Sequence, residues 1–150
     1  PTESAPVDPA PVPQAAPTES APASSASGEA VVAEAAKYLG TPYLLGGIAE
    51  CVPYQTMDCN CLTTKAFEPF GVYLPEGTLE SQMALGTPVS GPPQAGDLLA
   101  WSEDGSGYIT HLGIAMGDGT VIHGSAYAGM VVSGTPIDSI AGYMGAVRLV

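Results

Sequence analysis

Cys59, His111 and His123 have the types and the spacing that covalent catalysis would use. Cys59 stands in "QTMDCNCLTTKAF", directly after Asp58, a good N-cap for a helix that would carry Cys59 in its first turn. At that position the positive end of the helix dipole favours a thiolate. The two histidines fall in "THLGIAM" and "TVIHGS", apolar runs joined by "GDG" at 117–119, a hairpin signal. They are not directly opposite, yet they can share a face on neighbouring strands. A helix-start cysteine facing a histidine, with a second polar residue orienting that ring, is the arrangement of cysteine hydrolases. His111 would accept and return protons, and His123 would hold its ring. The competing reading is a buried packing histidine beside a buried cysteine, since cysteine is among the most buried residue types. A zinc site of one Cys and two His is also conceivable. However, "CNC" lacks the two-residue spacing of zinc knuckles and no second Cys pair follows, so no metal and no cofactor are expected.

The elements that must position these residues are legible in order. "GEAVVAEAAKYLG" has helical apolar spacing through Val31, Val32, Ala35, Ala36 and Leu39, with Gly40 as its stop. Residues 40–57 lack periodicity and read as a loop. "DCNCLTTKAFEPFG" resumes helical character, ended by Pro69 and Gly71, and "TLESQMALG" is a short helix capped by Thr78. After Gly96 come short strands: "GDLLAW", "THLGIAM", "TVIHGS", "GMVVSG" and "GAVRLV". Helices first and strands second predict an α+β fold, with N-terminal helices packed on a small antiparallel β-sheet.

The chain divides into residues 1–28, a Pro/Ala/Ser-rich spacer expected to be disordered, and a domain at 29–150. The first segment has seven prolines, repeats "PTESAP" at 1–6 and 17–22, and has no aromatic residue. It cannot bury enough apolar surface to offset chain entropy and reads as an extended linker. Lys37, Lys65 and Arg148 are the only Lys or Arg residues, against 15 Asp and Glu, giving a net charge of −12. So few scattered cations disfavour nucleic-acid binding and adhesion to anionic lipid. No apolar run is long enough for a membrane span. A spacer of this composition ahead of a compact domain points to a secreted or cell-envelope protein.

The blocks "YLGTPYLLGG", "MDCNCL", "GVYLPEGTLESQ", "QAGDLLAW", "THLGIAMGDGTVIHGS" and "AVRLV", in this order over residues 29–150, resemble the NlpC-type bacterial cell-wall hydrolases, papain-like cysteine peptidases. The resemblance implies a papain-like fold, with Cys59 as nucleophile, His111 as general base and His123 as the orienting third residue. It places Tyr43 in the cleft, Asp58 at the free amino end of a short stem peptide, and Asn60 at a serine position that contributes to the substrate pocket. It implies peptidoglycan stem peptides as the partner, cut between the γ-carboxyl of D-glutamate and a diamino acid through a thioester, by a monomer. The alternatives are a non-catalytic peptidoglycan-binding relative, or an amidase or acyltransferase with another acyl substrate. The departures bear on specificity: "DCNC" where the family has "DCSG", Leu45 where a tryptophan is usual, and Glu76 where an arginine is common. Gly46 and Gly47 read as backbone turn positions, Trp101 as core and Gln82 as a brace. With Cys59 kept free for chemistry, Cys51 and Cys61 remain to pair if the compartment is oxidising. Cys59 and Cys61, two apart on a helix, point about 200° apart and cannot bridge each other.

Overall fold

A computed structural model describes residues 27–45, 51–75 and 78–150. The Pro-rich stretch up to residue 26, Gly46, Gly47 and Glu76 lie outside the described residues. Helix α1 (Gly28–Ala36) starts where Ser27 caps it, the Ser27 hydroxyl accepting from Ala30 N–H at 3.1 Å. The first described helix thus starts at Gly28. Gly28 packs directly on Ala95 and Gly96, where a Cβ would collide with the Ala95 carbonyl. Helix α2 (Cys59–Phe67) starts at the Asp58 cap and passes into a 3-10 turn, Glu68–Phe70, that Gly71 ends at φ 78°. Helix α3 (Leu79–Met83) is capped by Thr78.

Six strands form one antiparallel sheet: β1 (Thr87–Pro88), β2 (Leu98–Trp101), β3 (His111–Ala115), β4 (Thr120–Ser125), β5 (Met130–Pro136) and β6 (Tyr143–Arg148), in the order β1-β6-β2-β3-β4-β5. The central strands β2 and β3 are buried along their whole length, as both sheet faces are covered. On one face Leu98, Ala100, Leu112, Ile114 and Ile122 pack with Val31, Ala35, Leu62, Ala66 and Phe67 of α1 and α2. On the other, Leu99, Trp101, Ala115, Val121 and Ala146 pack with Val89, Ile137 and Ile140. The helices lie on one side, as the order of elements predicts, and Trp101 is fully buried core.

Residues 40–57 are more ordered than their lack of periodicity suggests. Gly40 N–H donates to Val131 at 2.9 Å, Val131 N–H to Thr41 at 2.9 Å, and Tyr43 N–H to Gly129 at 2.9 Å. Residues 40–43 thus run along β5 and cover the edge of the sheet. The pairing is with residues almost 90 positions away, and so leaves no local period. Further on, Met57 N–H donates to the Pro42 carbonyl at 3.0 Å and Leu44 N–H to Met57 at 3.2 Å. This clip carries the chain straight into Asp58 and α2.

Candidate active site

Cys59 is the first residue of α2, and the Asp58 carboxylate accepts the Cys61 N–H at 2.8 Å, which fixes that helix start. Strand β4 presses against it. A Cβ on Gly124 would lie 3.3–3.4 Å from the Asp58 carbonyl group and the Cys59 nitrogen, so a glycine lets the strand carrying His123 approach this closely. The backbone N–H groups of Leu112 and Asn60 hydrogen bond to the Cys59 sulfur, and Leu112 directly follows His111. The thiol is only 5% exposed. Burial pushes its pKa up to about 12, against the lowering effect of the two amides, and the Asp58 and Glu103 charges add to the rise. Desolvation thus opposes the helix dipole at this sulfur and favours the protonated thiol over a resting thiolate.

His111 opens β3, opposite Trp101 on β2. Strands β3 and β4 pair at Ile114↔Ile122 and Ala115↔Val121, which leaves His111 and His123 diagonal across the pair. Gly113 lies between them. A Cβ there would sit 2.5 Å from a Val121 methyl and 3.2 Å from the His123 Cβ, so a side chain would displace Val121 and crowd the second histidine. The rings meet edge to face, centroids 4.9 Å apart at 77°, with His111 Nε2 2.7 Å from His123 Nδ1. Trp101 packs on His111 from the far side at 5.4 Å. The second nitrogen of His123, Nε2, lies 3.2 Å from Thr135 Oγ1. A bulge in the β4–β5 register between Val121 and His123, with Gly134 at φ 80°, accompanies this contact.

Burial pushes both histidines down to about 4, and for His111 the neighbouring His123 charge adds to the effect. Both rings are neutral near pH 7. Their contacts then allow one proton order suited to a base. His111 Nε2–H donates to His123 Nδ1, His123 Nε2–H donates to Thr135, and His111 Nδ1 is left with a free lone pair.

A cavity of about 730 Å³ opens here, lined among others by Tyr43, Glu103, His111, His123, Tyr127 and Thr135. Cys59 itself is not among the lining residues. Tyr43 is half-buried, its phenol is pushed up by burial, and its backbone bridge to Met57 sets it beside the Asp58–Cys59 helix start. The structure thus gathers Cys59, Asp58, Tyr43, His111 and His123 into one region. Asn60 faces elsewhere. Its side-chain oxygen accepts from Gln82 Nε2 and from Thr64 Oγ1 at 3.3 Å, and Gln82 Oε1 accepts from Thr63 Oγ1 at 2.8 Å. This buried network braces α2 against α3, with Gln82 fully buried, and Asn60 is not among the cavity residues.

A disulfide joins Cys51 to Cys61 with Cα atoms 5.3 Å apart, and Cys59 is free. Two residues of the region escaped the sequence reading. The strand pattern "GMVVSG" ends at Gly134, but β5 continues through that glycine to Pro136 and brings Thr135 in; a glycine inside a strand is itself a bulge signal. Glu103 lies in a turn with no periodicity, and only its 2.9 Å backbone bond to the Thr110 hydroxyl ties it to the residue before His111.

A model of the NlpC/P60 family matches residues 40–144. The chain is 36% identical over 107 residues to the gamma-DL-glutamyl hydrolase of Bacillus subtilis, covering 69% of this chain and 24% of that protein. It is 38% identical over 113 residues to a protein of Mycobacterium tuberculosis named "Probable endopeptidase", covering 73% and 26%. It therefore spans about a quarter of the length of these curated relatives. The solved NlpC/p60 domain of the peptidoglycan hydrolase SagA superposes with a TM-score of 0.68 at 33% identity, over 83% of this chain and 100% of that one. An NlpC/P60 family protein from Bacillus cereus superposes with a TM-score of 0.69 at 25% identity, over 82% and 40%.

Proposed function

This chain belongs to the NlpC/P60 family, and from that premise we propose that it is a cysteine peptidase of peptidoglycan stem peptides, cutting between the γ-carboxyl of D-glutamate and a diamino acid. The observation that carries the reading is the chain of contacts His111–His123–Thr135 on the cavity wall, with the Cys59 sulfur held by the amide next to His111. The name of the Bacillus subtilis relative supports a γ-glutamyl bond.

Burial, which raises the thiol and lowers both rings, favours a general-base route over a resting ion pair. As the scissile carbonyl reaches the sulfur, His111 Nδ1 takes the thiol proton and Sγ attacks the carbonyl carbon. The backbone N–H of Cys59, at a helix start, and the Tyr43 hydroxyl would face the oxyanion. His111 then gives its proton to the leaving amine, and the C–N bond breaks to leave a thioester. Water, deprotonated by His111, attacks the thioester, and the thiol and the free acid are released. The imidazolium formed in each half-reaction keeps its Nε2–H bond to His123, which holds the ring in place. In this reading the Asp58 carboxylate, which also caps α2, would receive the free amino end of the peptide.

The Cys51–Cys61 disulfide supports a secreted or envelope location, where such bonds persist. Residues 1–26 would act as a spacer between this domain and whatever holds it. The test is incubation with defined stem peptides and identification of products by mass spectrometry. Wild type should release the γ-D-glutamyl fragment, and Cys59→Ala should release none while keeping its fold. Wild-type turnover by Cys59→Ala overturns the mechanism.

A further inference from the structure

The whole chain has three Lys and Arg residues, and the structure accounts for each of them away from the cavity. Lys37 pairs with Glu34 at 2.9 Å on α1. Lys65 pairs with Glu68 at 3.5 Å, at the far end of α2 from Cys59. Arg148 binds Asp97 through both carboxylate oxygens, Nε and Nη2 each at 2.8 Å, and that aspartate is 1% exposed. Among the described residues, no Lys or Arg lines the cavity.

The cavity does hold a negative group. Glu103 lines it together with Tyr43, His111 and His123, and among the described residues no Lys or Arg pairs with its carboxylate. Its position is set, because its own N–H is bonded to Thr110 directly before His111. The field reaches the chemistry: the Glu103 and Asp58 charges both act on Cys59 and Tyr43 in the sense expected of nearby carboxylates.

We propose that this cleft selects stem peptides whose diamino acid presents an ammonium and no side-chain carboxylate, with Glu103 as the specificity-determining residue that receives the ammonium. The inference rests on the peptidase reading above and narrows its substrate class. A lysine-type residue gains a partner at Glu103, whereas a meso-diaminopimelate residue brings a second carboxylate to a cavity whose described lining holds no Lys or Arg. An ion pair at a partly exposed site, or the matching repulsion, is worth about fivefold in kcat/KM.

Three γ-D-glutamyl peptides that differ only in the diamino acid separate the contributions: L-lysine, Nε-acetyl-L-lysine and meso-diaminopimelate. Full-length wild-type protein should prefer the lysine peptide over each of the others by about fivefold at ~50 mM salt, and the preference should shrink at ~500 mM. Glu103→Gln should bring the lysine to acetyl-lysine ratio close to one. Equal or better cleavage of the diaminopimelate peptide, or an unchanged ratio in Glu103→Gln, overturns the inference and leaves the peptidase reading standing. Cleavage of none of the three overturns the peptidase reading, and this inference with it.

Discussion

Lowering the pH from 8 to 5 should destabilise the domain through His111 and His123. Each is pushed from 6.5 down to about 4, chiefly by burial, and only 7% and 5% of their surfaces are exposed. A base whose folded pKa is depressed is neutral when folded and charged when unfolded across the interval between the two values. The unfolded chain then binds more protons, so stability is fully present above pH 6.5 and is lost as pH falls toward 4. At pH 5 an unfolded histidine is almost fully protonated and a folded one almost not at all. The loss from pH 8 to 5 is then roughly 2 kcal/mol per histidine and about 4 kcal/mol for the pair, a large share of the ~5–15 kcal/mol typical of a domain. Glu103, which burial holds above the usual carboxylate value, shifts the balance the other way, and acidification also relieves self-repulsion. The double variant His111→Gln/His123→Gln separates these effects. Urea denaturation followed by Trp101 fluorescence at each pH gives both slopes. Wild type should lose stability steeply between pH 6.5 and 5, and the double variant should not. A flat wild-type profile, or the same slope in both proteins, refutes the claim that these rings are buried neutral.

Three further expectations follow from particular contacts. His111→Ala should lose nearly all peptide turnover and His123→Asn should retain a measurable part, since the base moves the proton and its neighbour only holds the ring; complete loss in both counts against these roles. The pair Cys51→Ala/Cys61→Ala should lower the unfolding free energy by about 2–3 kcal/mol, as the bridge closes a ten-residue separation, and reductant should destabilise wild type but not the variant. Removing residues 1–26 should leave melting temperature and soluble-peptide turnover unchanged. Cutting two residues further should cost about 1 kcal/mol, because Ser27 caps α1, and melting curves of the two truncations make the comparison.

What the sequence determined by itself is what depends on near neighbours. Asp58 and Thr78 mark their helix starts because a cap bonds to an amide three residues on, and Gly71 marks a stop because it takes a positive φ. The "GDG" turn places His111 and His123 on adjacent strands, and the odd cysteine count leaves one thiol outside the Cys51–Cys61 bridge. Other features needed the assembled domain. The run of residues 40–43 along β5, which carries Tyr43 to the cavity, is a pairing with residues 129–131 that no local pattern encodes. Thr135 reaches His123 through a bulge whose register only the sheet defines. Asn60 turns to Gln82 because α3 packs where it does, although its place in the sequence suggested the pocket. The upward shift of Cys59 and the downward shift of both histidines follow from desolvation, which is set by everything packed around a group rather than by its neighbours in the chain. Three cations can be counted in the sequence, but their commitment to Glu34, Glu68 and Asp97, away from the cleft, is decided by tertiary contacts.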